Sequence, residues 1–290
     1  MKAQRQNQQN IRTSHPRLSP DEVDRFRGII YRHYQAHRRK MPWRQTQDQY
    51  KILVSEIMLQ QTQVERVLDK YGEFLTHFPN FESLARAPWP EVLAAWQGLG
   101  YNRRALALKR LAQAVMAEWD GRLPHKEEDL RSLPGIGPAT AGALLAFAFE
   151  KPVAFIETNI RRVFLHFFFA EQTGVTDREI LPLVEETLDR ERVREWYYAL
   201  MDYGAGLKGL APNPNRRSAH YARQSPFNGS NREVRSLILK TLLTEPAPSL
   251  ENLAVTIGKS PARTRTALSQ LLAEGFVIRE GTRLRLASRV

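Results

Sequence analysis

Apolar residues recur every three or four positions along most of this chain, the spacing that gathers them on one face of an α-helix. Pro and Gly residues separate the apolar segments, because Pro ends a helix and Gly permits a tight turn. The pattern predicts helices over residues 19–38, 50–68, 70–77, 81–86, 90–97, 102–119, 126–132, 159–168, 177–189 and 191–204, and one that ends near residue 149. This part shows no strand-like alternation, so the fold class predicted for the body of the chain is all-α.

Residues 231–290 predict a separate C-terminal domain. Helical patterns cover residues 231–243, residues 249–257 and the segment that begins at Ser260-Pro261. Residues 276–286 then alternate about a Gly turn, as a β-hairpin does. Three helices and a hairpin form a winged helix-turn-helix, which presents a recognition helix to a DNA groove. The candidate DNA contacts of this domain are Arg263, Arg265 and Arg283. A domain that serves protein contacts is the alternative.

A tail and a connector complete the predicted domain organisation. We divide the chain into a basic, disordered tail (residues 1–18), a helical core (19–204), an irregular basic connector (205–230) and the C-terminal domain (231–290). The tail is rich in Gln and Asn and contains basic residues without an acid, so we expect it to stay disordered and to touch DNA. Scattered Gly, Pro and Arg residues mark the connector as irregular and basic.

The charge of the chain narrows the choice of partner. A formal net charge of +12 and an isoelectric point near 10.1 indicate that the chain binds a polyanionic partner. Nucleic acid is the first candidate, and a membrane surface is the second. The basic residues are dispersed, and no apolar run approaches the length of a membrane span. Because the N-terminus lacks the apolar core of a secretory signal, we expect a soluble protein of the cytoplasm or nucleoid.

The chain contains no cysteine. This excludes disulfides, thiolate nucleophiles and Cys-ligated metal or iron–sulfur clusters. The histidines show no metal-ligand spacing, and no Gly-rich nucleotide fingerprint occurs. We therefore expect neither a metal nor another cofactor.

Residues 133–141, Leu-Pro-Gly-Ile-Gly-Pro-Ala-Thr-Ala, predict two helices joined by a tight glycine-rich hairpin. Glycine allows positive φ and close approach of another backbone. The first amides of the second helix have no partner within it and carry the positive end of the helix dipole, so the hairpin suits a phosphate. The residues that we assign to the DNA backbone here are Gly135, Gly137, Ala139 and Thr140. A plain turn between helices is the alternative that this motif alone leaves open.

Two carboxylates are candidates for chemistry. Glu56 lies on an otherwise apolar helix, where an acid has either a partner or a raised pKa; a partly solvated position at the edge of the apolar face is the alternative. Glu157 precedes a helix, where an acid caps the N-terminus and interacts favourably with the helix dipole. Taken alone, each residue is better explained by a structural role than by catalysis: Glu56 as an acid at the edge of the apolar face, and Glu157 as a helix cap.

Five segments together resemble the helix-hairpin-helix DNA glycosylases, and within that superfamily the MutY-type adenine DNA glycosylases. The segments are residues 53–64, 98–101, 133–141, 155–163 and 199–205. The run Ser-Glu-Ile-Met-Leu-Gln-Gln-Thr-Gln-Val at residues 55–64 is nearly the signature of the adenine group. The resemblance extends over about residues 40–205.

This resemblance implies a two-lobed helical fold in which double-stranded DNA crosses the cleft between the lobes and the target base is flipped into a pocket. It implies that Glu56 is the general acid that protonates adenine and helps to activate water, with Asn159 beside the catalytic carboxylate. Gln60 and Gln61 then enter the base stack, and Tyr101 is a wedge near the orphan base, the base left without a partner. The resemblance also implies a monomer that acts on a mispaired or damaged base.

Departures from the family pattern bear on the activity. Bifunctional members have a lysine where this chain has Ala139, so we expect a monofunctional glycosylase; adenine-type members usually have Ser or Tyr there. Glu157 replaces the family's Asp, which keeps the negative charge that stabilises a sugar cation but lengthens its arm by a methylene. Residues 206–223 lack the cysteines of the family's cluster, and we expect Arg216 and Arg217 to contact the DNA backbone there.

Three functions remain open from the sequence. The first is excision of adenine mispaired with G or 8-oxoguanine in base excision repair. The second is excision of another base, either uracil or thymine opposite G or an alkylated or crosslinked purine, which Ala139 and Glu157 motivate. The third is DNA binding without catalysis, against which Glu56 argues. The winged helix stands where the adenine family carries its 8-oxoguanine-sensing domain, so recognition of the opposite base also remains open.

Overall fold

The computed structural model describes residues 17–209, 212–244, 249–281 and 283–288. The helices in these ranges are α1 (Pro20–His37), α2 (Gln49–Leu59), α3 (Val64–His77), α4 (Phe81–Arg86), α5 (Trp89–Ala95), α6 (Arg103–Glu118), α7 (Glu127–Ser132), α8 (Pro138–Ala148), α9 (Thr158–Phe167), α10 (Asp177–Thr187), α11 (Val193–Gly206), α12 (Asn231–Thr244), α13 (Leu250–Thr256) and α14 (Pro261–Ala273). Short 3₁₀ turns occupy Pro42–Arg44, Leu207–Gly209 and Pro214–Arg217, and strands β1 (Val277–Glu280) and β2 (Arg283–Leu286) pair antiparallel. The tail expected at residues 1–18 lies outside the described ranges except for its last two residues.

The described chain divides into two compact units. The first unit contains the described residues through Gln47, together with His125–Glu127 and Gly137–Arg223. The second unit contains Asp48–Pro124, Glu128–Ile136 and the described residues from Gln224 onward. The predicted C-terminal domain therefore belongs to the same unit as α2–α6. Among the helices of the described ranges, none combines the length and the apolar character needed to cross a bilayer.

The first unit has an aromatic core formed by α1, α9 and α11. Phe26 on α1 is fully buried, and its ring centre lies 5.5 Å from that of Phe164 and 5.9 Å from that of Trp196. On α11 the buried carboxylate of Asp202 accepts two hydrogen bonds from the guanidinium of Arg44, both at 2.9 Å. This pairing satisfies the carboxylate, because a buried charge without a partner is strongly destabilising.

The C-terminal domain packs against α5 and α6 in the second unit. Trp89 on α5 is fully buried, and its ring centre lies 5.4 Å from that of Phe276. The backbone N–H of Trp89 donates to the carbonyl oxygen of Ser288. Glu274, which follows α14, accepts hydrogen bonds from the guanidinium of Arg103 on α6. Apolar and ionic contacts thus join this domain to the helices before it.

The C-terminal domain has the predicted winged-helix elements. Helices α12, α13 and α14 are followed by a hairpin whose register pairs Glu280 with Arg283. Gly281 has φ +61°, a conformation that glycine adopts without strain. The helix predicted to begin at Ser260-Pro261 is present as α14, and the Ser260 side chain accepts a hydrogen bond from the backbone N–H of Arg263.

One helix prediction was wrong. The helix expected over residues 50–68 is broken into α2 and α3, and the helix expected over residues 70–77 is the end of α3. Gln61 has φ +55°, which an α-helix does not accommodate. The guanidinium of Arg104 instead donates to the carbonyl oxygens of Ile57 and Met58 at the end of α2 and to that of the C-cap residue Gln60. The break therefore depends on a residue that is distant in the sequence.

Candidate functional site

Glu56 lies in the middle of α2, a helix that is buried along most of its length. Its side chain is half-buried, whereas the adjacent residues Ser55 and Ile57 are 1% exposed. The start of α2 is fixed by Asp48, whose carboxylate accepts a hydrogen bond from the backbone N–H of Lys51 at 3.1 Å. The helix thus holds one carboxylate within a segment that is mostly apolar and closely packed.

The turns that carry Gln61 and Tyr101 lie together in the second unit. Gln61 is exposed at φ +55°, and Tyr101 is half-buried at φ +49°. Such φ values are uncommon outside glycine and indicate turns that their surroundings hold in place. Gly98 and Gly100, at φ +95° and +68°, form the turn that precedes Tyr101. Gln60 is the half-buried C-cap of α2, next to Gln61.

Arg104 connects these two turns. One guanidinium nitrogen donates to the carbonyl oxygen of Gln60 at 2.6 Å. The other donates to the carbonyl oxygen of Gly100 at 3.1 Å and to the hydroxyl of Thr62 at 2.9 Å. Burial lowers the pKa of Arg104 to about 10, so the guanidinium remains charged at neutral pH. Sequence reasoning missed Arg104, because no local pattern distinguishes it from an arginine on a solvated helix face.

In the first unit, Glu157 caps α9 as predicted. One carboxylate oxygen accepts hydrogen bonds from the backbone N–H groups of Asn159 and Ile160, both at 2.7 Å. The other accepts from the side-chain amide of Asn159 at 3.2 Å. Burial raises the pKa of Glu157, against the effect of these backbone hydrogen bonds and of the nearby Arg162, which favour the charged form. The cap places the carboxylate and the Asn159 amide side by side.

Arg162 and Gly204 fix the position of Asn159. Arg162 is 5% exposed, and its guanidinium donates to the Asn159 side-chain oxygen at 2.9 Å and to the Gly204 carbonyl oxygen at 2.6 Å. A Cβ atom on Gly204 would lie 2.4 Å from the carbonyl oxygen of Asn159. Glycine is therefore required at this position for α11 to approach α9. Sequence reasoning missed Arg162 as well.

Residues 212–218 follow α11 and pack along α9. The side chain of Asn215 donates to the carbonyl oxygen of the first residue of α9 at 3.1 Å. At the other end, Arg217 donates to the carbonyl oxygens of Leu165 and Phe169 at 3.0 and 2.8 Å. Between them, the side-chain oxygen of Asn213 accepts from Arg162 at 3.3 Å. This part of the predicted connector thus supports the helix that carries Asn159.

The same segment does not fit a thiolate-bound metal cluster. The chain contains no cysteine. Among the residues that the structure describes, no group of three or more His, Asp or Glu side chains is placed to hold a metal ion. The buried polar side chains here, Asn215 and Ser218, are neutral and cannot replace a thiolate.

The glycine-rich hairpin has the predicted helix–turn–helix backbone. The turn between α7 and α8 occupies residues 133–137, with Gly135 at φ +82°. A Cβ atom on Gly135 would lie 2.8 Å from the Cβ of Ala107, so glycine is needed here for both conformation and space. Gly137 is the N-cap of α8 and has no side chain to occupy the first amides of that helix. Gly135, Gly137 and Ala139 are exposed, and Thr140 is half-buried.

The arginines assigned to DNA differ in their surroundings. In the first unit, Arg216 is exposed, whereas Arg217 is half-buried and bound to carbonyls at the end of α9. In the C-terminal domain, Arg263 and Arg265 on α14 and Arg283 on β2 are all exposed. Arg263 also donates to the carbonyl oxygen of Gly229. Four of these five guanidinium groups therefore lie on the surface.

The chain is similar to DNA repair enzymes of one family. Residues 54–188 match the family described as HhH-GPD superfamily base excision DNA repair protein. The chain is 33% identical over 262 residues to the adenine DNA glycosylase of Mycolicibacterium smegmatis, covering 84% of this chain and 89% of that protein. It is 34% identical over 193 residues to the adenine DNA glycosylase of Buchnera aphidicola subsp. Baizongia pistaciae, covering 65% of this chain and only 54%, about half, of that relative. A solved thermostable thymine-DNA glycosylase superposes with a TM-score of 0.59 at 27% identity, covering 66% of this chain and 90% of that one.

Proposed function

We propose that this chain, which belongs to the HhH-GPD superfamily of base excision DNA repair proteins, is a monofunctional DNA glycosylase that excises adenine mispaired with G or 8-oxoguanine. The observation that carries the proposal is the half-buried carboxylate of Glu56 on the buried helix α2, within the run that resembles the adenine group. Similarity to two adenine DNA glycosylases supports the choice of base.

We assign protonation of the leaving base to Glu56. Cleavage of the bond between adenine and deoxyribose needs a proton on a poor leaving group and produces an oxocarbenium-like sugar. A positioned general acid contributes about 10²–10⁴ in rate. Once its proton has passed to adenine, the Glu56 carboxylate can accept a proton from the water that attacks the sugar. No other group is needed to balance the protons of the hydrolysis.

We assign stabilisation of the sugar cation to Glu157, with Asn159 beside it. A fixed negative charge near a developing cation lowers the energy of the transition state. The backbone N–H groups of Asn159 and Ile160 and the positive end of α9 favour the carboxylate form of Glu157. Although Glu is one methylene longer than the family's Asp, its carboxylate still reaches the first turn of α9, which keeps the charge in a defined position.

The hairpin residue Ala139 supports a monofunctional reaction. An exposed alanine stands where bifunctional members of the superfamily have a lysine. Alanine has no amine that could form a Schiff base with the sugar. Base release then leaves an abasic site in an intact strand, which breaks only after treatment with heat and alkali.

We propose double-stranded DNA containing a mispaired or damaged base as the partner and a monomer as the active state. We assign the phosphate contacts to the backbone N–H groups of Gly135, Gly137, Ala139 and Thr140 and to the exposed arginines. Such contacts release counterions, so the affinity falls steeply as salt rises. Light scattering of the free protein tests the proposed monomeric state, because a monomer gives a mass near 33.4 kDa.

The proposal is tested by identifying the released base. Excess protein is incubated with duplexes that contain A:8-oxoguanine, A:G, A:C or T:G, and the released bases are separated by chromatography. Adenine from the first two duplexes, with strand breakage only after heat and alkali, is the expected result. Release of no base from any duplex by correctly folded protein would contradict the proposal.

Excision of thymine or uracil opposite G is the second candidate. The similarity to a solved thymine-DNA glycosylase at 27% identity favours it, as do Ala139 and Glu157, which depart from the adenine pattern. Thymine from the T:G duplex without adenine from A:G would select this candidate in the same experiment.

A further inference from the structure

Two histidines near the end of α1 form a stacked pair at the surface of the first unit. His33 and His37 are four residues apart, and their ring centres lie 4.7 Å apart with the ring planes inclined by 23°. His33 is half-buried, with its ring centre 4.8 Å from that of Tyr203 on α11, whereas His37 is exposed. We call His33 and His37 the imidazole pair. Neither the assigned chemistry nor the predicted DNA contacts include them.

The hydrogen bonding of His37 fixes the position of the proton in its neutral ring. The Nδ1 atom lies 3.2 Å from the carbonyl oxygen of His33, and because a carbonyl oxygen only accepts, Nδ1 carries the proton. The Nε2 atom of the neutral ring is therefore an acceptor. The oxygens of a phosphodiester also only accept, so His37 can donate to them from Nε2 only after the ring has taken up a second proton.

His33 directs one ring nitrogen toward the surface. Its Nδ1 atom is buried and has no hydrogen-bond partner among the described residues. Its Nε2 atom would lie 3.6 Å from a Cβ atom on Gly206, which is exposed. Burial, together with the nearby His37, lowers the pKa of His33, so the ring is neutral at pH 7. Because a buried N–H without an acceptor is rare, we assign the single proton to Nε2, which makes it a neutral donor beside Gly206.

The charges around the imidazole pair favour an anion. Asp202 is the only acid within residues 28–44 and 199–209. Its carboxylate already accepts hydrogen bonds from the guanidinium groups of Arg39 and Arg44. The exposed cations of these two segments are Arg32, Arg38, Lys40 and Lys208. Cationic side chains bind phosphates through charge-assisted hydrogen bonds, and a phosphate is the anion that a DNA strand supplies.

The imidazole pair lies close to a residue assigned to the reaction. Gly204 on α11 packs against Asn159, and Gly206, two residues later, faces His33. Residues two apart point to nearly opposite sides of a helix, so the last turn of α11 lies between Asn159 and His33. The separation is roughly the 10–12 Å width of a helix with its side chains. Since a DNA strand carries one phosphate per about 3.4 Å of axis, a strand whose sugar lies at Asn159 has further phosphates at that distance.

We propose that the imidazole pair binds a backbone phosphate of the duplex, with His33 as a neutral donor and His37 as a donor that takes up a proton from solvent on binding. The inference rests on the proposed function for its partner, double-stranded DNA. It adds a dependence of DNA affinity on pH. Because the complex binds more protons than the free protein, the affinity rises as the pH falls through the range in which histidine titrates. One proton corresponds to at most about a tenfold change in affinity per pH unit.

Calorimetry of duplex binding tests the proposal through the proton that is taken up. The full chain is titrated with a duplex of ordinary base pairs in Hepes and in Tris, at the same near-neutral pH and ionic strength. The difference in heat between the two buffers gives the number of protons bound per complex, and repetition at several pH values gives the change in affinity. Inorganic phosphate is a second titrant.

Three variants make the test specific. His37→Gln removes the ring that takes up the proton. The matched control is His77→Gln, because His77 is also the exposed last residue of a helix and its Nδ1 also donates to the carbonyl oxygen four residues earlier, that of Glu73 at 2.8 Å. Gly206→Asp places a carboxylate beside Nε2 of His33. Thermal melting of every variant confirms that it is folded.

We expect the parent and His77→Gln to take up a proton on binding the duplex, up to about one per complex. His37→Gln should lose this uptake and the rise in affinity at lower pH, and Gly206→Asp should bind the duplex more weakly at every pH. Equal uptake by the parent and His37→Gln, or none by the parent, overturns the inference. Parental affinity in Gly206→Asp overturns the contact of His33. Uptake with inorganic phosphate that equals the uptake with the duplex assigns the site to free phosphate and overturns its assignment to DNA.

Adenine release from an A:8-oxoguanine duplex, measured in parallel, separates this inference from the proposed function. Adenine release without proton uptake contradicts the imidazole pair alone. Proton uptake that depends on His37, without adenine release, contradicts the proposed chemistry alone.

Discussion

Gly204 illustrates how the candidate site depends on single residues. The helices α9 and α11 approach so closely there that a Cβ atom would lie 2.4 Å from the carbonyl oxygen of Asn159. Arg162 occupies the same junction, where it binds both the Asn159 side chain and the Gly204 carbonyl. The position of Asn159 beside Glu157 therefore depends on the lack of a side chain at Gly204 and on the buried guanidinium of Arg162.

Substitution of Gly204 by alanine should reduce activity more than its cost in stability suggests. Overpacking of this kind costs about 1–3 kcal/mol, and a displacement of about 1 Å at a reacting group costs on the order of 10²-fold in rate. Single-turnover adenine release and thermal melting measure the two effects. Gly209→Ala is the control, because a Cβ atom there has nothing within 4 Å. A Gly204→Ala variant with the parental rate would contradict the assignment of Asn159 to the site.

Glu157 gives the reaction an expected pH dependence. Burial raises the pKa of this carboxyl group above its ordinary value of 4.5. The proposed mechanism needs the charged form of Glu157. The rate of adenine release should therefore fall as the pH decreases through the raised pKa. Single-turnover rates at a series of pH values from acidic to neutral measure this limb. Glu157→Gln should be slow at every pH and should not show the fall in rate at acidic pH. If this variant keeps that fall, a group other than Glu157 titrates in the reaction.

At the scale of elements, the segment 212–218 supports α9. Asn215 and Arg217 contact its two ends, and Asn213 contacts Arg162 between them. These interactions are made by neutral amides and by the guanidinium groups of Arg217 and Arg162. The helix that presents Asn159 is thereby held by the chain's own hydrogen bonds.

Two neighbouring arginines in this segment should separate stability from DNA binding. Arg217→Ala leaves carbonyls at the end of α9 without their charged donor, so we expect a loss of about 1.5–3 kcal/mol in the free energy of unfolding. Arg216→Ala removes an exposed cation, so we expect the parental melting temperature and a salt dependence of DNA binding that is weaker by about one phosphate contact. Urea unfolding and salt-dependent binding titrations measure these effects. The reverse pattern would contradict the orientations of both side chains.

Local signals in the sequence predict most elements of this fold. Helical apolar spacing, the start at Ser260-Pro261 and the alternation about Gly281 predicted α14 and the hairpin, because these features act within a few residues. The break between α2 and α3 could not be found in this way. It depends on Arg104, which lies far along the chain from the carbonyls that it binds. The candidate residues of the site were assigned by resemblance and stay a prediction, whereas Arg104 and Arg162 required the structure.

At the scale of the molecule, the C-terminal domain is part of the second unit and not a separate appendage. Glu274 is central to this association, since it binds Arg103 on α6 and Arg235 on α12. The buried pair of Trp89 and Phe276 adds an apolar contact. Sequence patterns predicted the domain but not its docking, because docking depends on contacts between residues far apart in the chain.

The Glu274 contacts should make stability depend on pH. Hydrogen bonding with Arg103 lowers the pKa of Glu274 from 4.5 to about 2. The charged form therefore stabilises the folded state above pH 4.5, and this contribution is lost as the pH falls toward 2. Glu274→Gln should lower the free energy of unfolding at pH 7 by about 1.5–3 kcal/mol, and the difference from the parent should narrow below pH 4.5.

Urea unfolding at several pH values measures this difference, and Glu251→Gln, an exposed acid on α13, is its control. A difference between the parent and Glu274→Gln that stays constant with pH would show that Glu274 does not stabilise the domain through its charge.

The central claim is that Glu56 gives a proton to the departing adenine. The most direct test is single-turnover release of adenine from a duplex with one A:8-oxoguanine pair, by the parent, by Glu56→Gln and by Glu65→Gln, an exposed acid on α3. We predict that Glu56→Gln loses at least about 10²-fold in rate while it still binds the duplex, and that Glu65→Gln keeps the parental rate. Adenine release by Glu56→Gln at the parental rate would contradict the claim.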